Sequence, residues 1–298
     1  MLSVIIPAYN VELTIPTQLE ALAKQQCSDR WEIIVADNGS SDRTRETVQQ
    51  YQKVLPNLRL VDASARQGSG YARNCAARHA QGEYLLFCDA DDEVAPGWLA
   101  AMSTALAHND FVCGLRDHTK LNSDNDWHDP LSQIEGYGLL QHPYLPFAAA
   151  SNLGVKRAIH EAVGGFNEQF LALQDIDYCW RIQEMGHELR EVSDAIVYFR
   201  FRQGVESNYK RLRKFGYFTA LLHYRHLSAN FPKWFIVKCS WSLLLVPIKF
   251  IFRVRNRDSL FLWYLNAGWS LGYWQGWVNI LQGAIEQGFS KKSLALQK

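Results

Sequence analysis

Four acidic side chains in five residues mark the place where this chain is best equipped for chemistry. Asp89-Ala90-Asp91-Asp92-Glu93 closes the apolar run Tyr84 to Cys88. Like charges at that density repel one another unless a cation neutralises them, and hard oxygen ligands favour Mg2+ or Mn2+. Two other apolar runs end in polar segments, Pro7-Ala8-Tyr9-Asn10 and Asp37-Asn38-Gly39-Ser40-Ser41-Asp42. Singly, each reads equally well as a turn or a helix cap. Gln174-Asp175-Ile176-Asp177 sets two carboxylates where a helical pattern over 176–185 begins, a placement that a helix N-terminus favours by itself.

The elements that must position these residues alternate. Short apolar runs at 2–7, 31–36, 58–62, 84–89 and 111–115 read as strands, with helical stretches near 14–26, 41–54, 70–80 and 96–107. Near-continuous apolar strands joined by helices need crossover connections, which predicts an α/β fold with a mostly parallel sheet covered on both faces. In such sheets ligands bind beyond the carboxyl ends of the strands, which is where the polar segments fall.

Composition adds a division. The 298 residues suffice for one large domain or two smaller ones, and 48% apolar with 20% charged excludes a disordered chain. The 31 Lys+Arg and 30 Asp+Glu are unevenly spread: residues 1–199 carry 15 basic and 27 acidic (−12), residues 200–298 carry 16 and 3 (+13). Six of the ten Trp also lie in the basic part. Basic and Trp-rich together suggest an anionic membrane surface as partner rather than nucleic acid. The six Cys form no C-x-x-C and no metal spacing, which reads as a reducing, cytoplasmic compartment. The N-terminus lacks a basic leader region and has only a five-residue apolar run before Pro7, as expected of a strand rather than a signal peptide.

Six motifs in order, SVIIPAYN (3–10), VADNGSSDRT (35–44), RQGSGYARN (66–74), GEYLLFCDADDEV (82–94), VGGFNEQF (163–170) and QDIDYCWR (174–181), resemble those of family 2 glycosyltransferases, inverting nucleotide-sugar enzymes of GT-A fold. The resemblance covers roughly residues 1–200. It implies a catalytic domain over 1–205 and leaves 206–298 as a helical, membrane-associating extension. It implies that Pro7, Ala8, Tyr9 and Asp37 line the nucleoside, and the chemistry suits that role: a carboxylate accepts from a base N–H, and an aromatic stacks on a base. It further implies that Asp91 binds the divalent ion, that Asp89 approaches the ribose or the metal site, and that Asp175 is the general base. Asp92 belongs to the site or caps the next helix.

Four residues depart from the family pattern. Arg66 stands where Asn is commoner, suggesting a contact to base or diphosphate. Gln174 replaces a Glu. In AIVYFRFRQGVES, Arg200 and Arg202 replace a His that many relatives use at the metal or diphosphate; strand alternation puts both on one face, where guanidinium forks are expected to clamp the diphosphate or an anionic acceptor. Arg73 and Asn74 hold their helix against neighbouring strand ends, with a ligand contact by Arg73 left open. Acceptor choice is expected in the stretch 117–144, and the acceptor itself to be a glycan or a lipid-linked glycan. A phosphatase using the acidic loop is disfavoured by Glu93, which stands where that chemistry expects Thr or Val, and by the unexplained other loops. A nucleotide-sugar-binding protein without activity is the remaining alternative.

In the basic extension, Lys238, Ser242, Lys249 and Arg253 fall within about 60° of one another if 234–252 is helical, an amphipathic pattern suited to lying in an interface. Residues 259–285 carry no charge and would reach about 40 Å as a helix, but Asn266, Gln275, Asn279, Gln282 and scattered Trp favour an interfacial or monotopic element at the inner membrane face over a span. Gly268, Gly272 and Gly276 form a small-residue stripe that permits close helix packing, and with it a homo-oligomer through these helices.

Overall fold

The computed structural model describes residues 1–122, 138–201, 204–227, 241 and 245–283. They fall into two compact units, Met1–Phe201 and the residues that follow.

The first unit is built on the expected apolar runs. Strands β1 (Leu2–Ala8), β2 (Trp31–Asp37), β3 (Leu58–Asp62) and β4 (Tyr84–Cys88) alternate with helices α1 (Ile15–Ala23), α2 (Thr44–Tyr51) and α3 (Ser69–His79). Then follow β5 (Glu93–Val94), α4 (Trp98–His108), β6 (Phe111–Asp117), β7 (Asn152–Lys156), α5 (Arg157–Ala162), α6 (Gln174–Glu184) and β8 (Leu189–Tyr198). Among the described residues they form one eight-stranded sheet in the order β3-β2-β1-β4-β7-β6-β8-β5. Side-chain alternation divides its core. Leu2, Val4 and Ile6 pack on one face with Leu19, Leu22 and Leu99; Ile5, Ile34 and Phe87 pack on the other with Ala72, Ala76 and Tyr178.

The pairings β1–β2, β2–β3, β1–β4 and β6–β8 are parallel, but β7 runs antiparallel to both β4 and β6, and β5 antiparallel to β8. The reason is local: no helix crosses between β6 and β7 among the described residues, so the chain can return alongside β6 in the opposite sense. Strand order reverses between β1, which leads to β2 on one side, and β4 on the other. Their carboxyl ends therefore flank the topological switch point.

The second unit contains α7 (Val205–Leu222), continued by a π-helical turn at His223–Leu227, then α8 (Val246–Arg253) and α9 (Arg257–Leu281). α7 and α9 approach so closely that a Cβ added at Gly216 would lie 2.0 Å from Trp269 O, and one at Gly272 1.8 Å from Arg213 O. Gly272 and Gly276 of the expected stripe thus face α7 of the same chain. No helix among the described residues is long and apolar enough to cross a membrane.

Candidate active site

The acidic loop follows β4 directly, so Asp89, Asp91 and Asp92 stand beside the carboxyl end of β1. One oxygen from each of the three carboxylates lies within 4.8 Å of the others. Two oxygens bound to one Mg2+ or Mn2+ at about 2.1 Å sit about 3.0 Å apart when adjacent and about 4.2 Å when opposite. The cluster therefore needs the carboxylates to draw in by no more than about 2 Å to hold one ion. Asp92 is buried; its Oδ1 accepts from the Arg200 backbone N–H at 3.0 Å, while Oδ2 has no hydrogen-bond partner among the described residues. Burial, followed by the charges of Asp91 and Asp89, pushes its carboxyl well above the ordinary range, against the Arg200 N–H and Arg116. A cation would relieve that repulsion, so the residues fit a divalent ion.

Gln18 of α1 sets the path of this loop. Fully buried, its Nε2 donates to Asp89 O at 2.9 Å and its Oε1 accepts from Val94 N at 2.9 Å. The sequence contained a signal for it, a polar residue in the apolar stripe Ile15-Gln18-Leu19-Leu22. From the other side Arg200 donates Nε to Asp91 O at 3.0 Å. Arg200 does not lie in a strand as expected. β8 ends at Tyr198, because the Arg200 N–H goes to Asp92 rather than to the sheet ladder. Arg202 lies outside the described residues, as do 123–137 of the expected acceptor stretch.

Arg73 pairs with the acidic loop, and its charge also acts on the expected base. Only 3% exposed, its Nη2 donates to Asp89 Oδ1 at 2.5 Å, and its guanidinium sits 5.5 Å from the Phe166 ring centre. Asp175 lies in the first turn of α6, Oδ1 accepting from Ile176 N at 3.0 Å and Oδ2 from Ala150 N at 3.4 Å. Burial raises its carboxyl above the usual value, while the Arg73 charge and those backbone N–H groups pull it down. A carboxylate raised in this way is better matched to accepting a proton near neutral pH. Just before it, Leu173 adopts a left-handed conformation (φ 56°), costing on the order of 1 kcal/mol for a residue with a Cβ. Gln174 donates Nε2 to Ser69 Oγ at 2.9 Å.

At the ends of β1 and β2, Ala8 pairs in register with Asp37, beside Pro7 and a half-exposed Tyr9. Asp37 is fully buried, accepting from Ser40 N at 3.2 Å and from Arg45 Nη1 at 3.0 Å. Arg45 also stands 3.9 Å from Asp62. Asn38 binds the next loop, donating Nδ2 to Ala63 O and Arg66 O at 2.6 and 2.7 Å and accepting from Gly68 N at 2.8 Å. Arg66 itself is exposed and paired with Glu168 at 2.8 Å. Arg45 and Asn38 escaped the sequence reading, which had no means of assigning partners across loops. Thus Asp89, Asp91, Asp92, Arg200 and Arg73 form one constellation, Asp175 feels the Arg73 charge, and Pro7, Ala8, Tyr9 and Asp37 gather at the neighbouring strand ends.

A doubly wound sheet with a carboxylate cluster at its switch point fits the GT-A fold, and solved structures share that fold. The mannosyltransferase PcManGT of Pyrobaculum calidifontis, in complex with GDP-Man and Mn2+, superposes with a TM-score of 0.64 at 17% identity, over 92% of this chain and 86% of that one. Staphylococcus aureus TarS 1–349 in complex with UDP gives 0.54 at 20% identity, over 95% and 91%. Residues 3–164 match the description of Glycosyl transferase family 2, and the chain belongs to that family. Among curated relatives, the glycosyltransferase AglE of Haloferax volcanii is 28% identical over 199 residues, 65% of each chain. The matched regions span under a third of two further relatives, 29% and 30% of their lengths.

Proposed function

We propose that the chain is an inverting glycosyltransferase that moves a sugar from a nucleotide-diphosphate sugar to a hydroxyl of a glycan or lipid-linked acceptor. The observation that carries this reading is the triad Asp89, Asp91 and Asp92 at the switch point, with the buried Asp92 Oδ2 lacking a partner among the described residues. Asp91 and Asp89 would hold Mg2+ or Mn2+, with Asp92 close by. Such an ion supplies Lewis-acid stabilisation to a departing nucleoside diphosphate.

The remaining roles fall to side chains. Pro7, Ala8, Tyr9 and Asp37 line the nucleoside, with Arg45 fixing the Asp37 carboxylate, and Arg66 contacts the base or the diphosphate. Arg200, and Arg202 beyond the described residues, neutralise phosphate oxygens. Asp175 takes the proton of the acceptor hydroxyl as that oxygen attacks the anomeric carbon opposite the leaving group, and the C1–O bond to the diphosphate breaks in the same displacement. The Arg73 charge keeps Asp175 ionised enough to act while burial keeps it basic. The domain division at 205/206 remains part of this reading, with the transfer chemistry in the first part.

The test is slow donor hydrolysis without acceptor, followed by proton NMR over a panel of UDP- and GDP-sugars with Mn2+ or Mg2+. Release of free sugar whose first-formed anomer is opposite to that of the donor is expected with at least one of them. Release with retained configuration would refute inversion. Binding with no turnover for any donor, with or without an acceptor panel, would favour the binding-protein alternative.

A further inference from the structure

We infer that the C-terminal unit docks on an anionic lipid bilayer through the outward face of α8, lying in the plane of the interface. Trp241, Leu245, Ile248, Ile251 and Phe252 are all exposed, Ile251 by 72% and Phe252 by 69%. A backbone bond from Leu245 N to Trp241 O (3.0 Å) sets Trp241 one turn ahead of the helix. At 100° per residue, Leu245, Ile248 and Phe252 fall within about 60° of one another, with Ile251 about 60° beyond. The opposite side meets α9 and is less exposed: Phe250, 43% exposed, has its ring 4.8 Å from that of Trp263, and Trp263 Nε1 donates to Val246 O at 2.9 Å. α8 is thus held to α9 by its inner side and turns its larger apolar side outward, the reverse of a helix seated on a water-soluble core.

Charge identifies the occupant. Arg255 and Arg257 are exposed just beyond the helix. With 16 basic residues against 3 acidic over 200–298, a second copy would bring like charge onto the same face. Anionic headgroups complement it, and acyl chains take Ile251, Phe252 and the Trp241 ring.

The test is co-sedimentation of the full chain with phosphatidylglycerol/phosphatidylcholine vesicles and with phosphatidylcholine alone. Binding to the anionic vesicles is expected, only partly reversed by high salt. Ile251→Glu with Phe252→Glu should lower the partition coefficient about tenfold or more, with melting temperature and nucleotide binding unchanged. Arg255→Gln with Arg257→Gln should weaken anionic binding and reduce its salt dependence. If the apolar variant fails to fold, brominated lipid decides: it should quench wild-type fluorescence more than that of Trp241→Phe. Absence of vesicle binding, equal quenching in those two proteins, or wild-type partitioning by the folded Glu variant would overturn the inference. So would a wild-type dimer that the Glu variant splits, since it gives the face to a second copy.

Discussion

Replacing Arg73 with Met tests the link between the acidic loop and Asp175, because it removes one cation that acts on both. Breaking a fully buried ion pair by deleting one partner costs about 3–5 kcal/mol. Here Arg73 is 3% exposed but the Asp89 side chain is 31% exposed, so water can rehydrate the abandoned carboxylate and the cost falls to about 2 kcal/mol. Loss of the Arg73–Phe166 contact adds about 0.5–1 kcal/mol. A destabilisation of about 2–3 kcal/mol should appear as a lower urea midpoint with an unchanged slope. The same change withdraws the positive charge that lowers the Asp175 carboxyl, so that group rises further and the acidic limb of kcat/KM moves to higher pH. Arg73→Lys should restore part of the limb, since it returns charge, but less of the stability, since it lacks the fork. A variant with Met that loses under about 0.5 kcal/mol and keeps the wild-type limb would refute the role assigned to Arg73.

Asp175→Asn should lower turnover by about 10² or more while leaving donor affinity nearly intact, read from steady-state kinetics and calorimetry. Because the folded carboxyl is raised, ionising it costs stability; the variant should match wild type in acid and melt at the same or a higher temperature as pH rises through the folded value. Gln18→Leu strands the Asp89 carbonyl and the Val94 N–H, and should cost about 2–4 kcal/mol in denaturant titration as well as weakening metal-dependent binding. Gly272→Ala pushes a Cβ into the Arg213 carbonyl and should lower the melting temperature, with donor affinity unchanged in whatever remains folded.

The architecture was legible where physics is local. The apolar runs at β1 to β4 and β6 and the helices between them follow from periodicity, and the acidic cluster follows from charge density alone. Partners were not legible. Nothing in the spacing of Arg45, Arg73 or Asn38 reveals that they bond Asp37, Asp89 and the Ala63–Gly68 loop, because each bond joins chain segments whose approach is set by the completed sheet. The antiparallel entry of β7 was hidden for the same reason, and alternation misled at Arg200, where a buried carboxylate draws the backbone out of the strand. In the C-terminal part, the glycine stripe was visible as a close-packing signal, but not that α7 of the same chain would meet it.

The proposed activity depends most on a divalent ion held at Asp91. Calorimetric titration of GDP and UDP into the full chain, with Mn2+ and with chelator, measures that dependence in wild type and in Asp91→Asn. Mn2+ should strengthen binding of at least one nucleotide in wild type, and Asp91→Asn should reduce its affinity to the chelator value. Binding that ignores Mn2+ in wild type, or metal-dependent affinity that survives in Asp91→Asn, would contradict it.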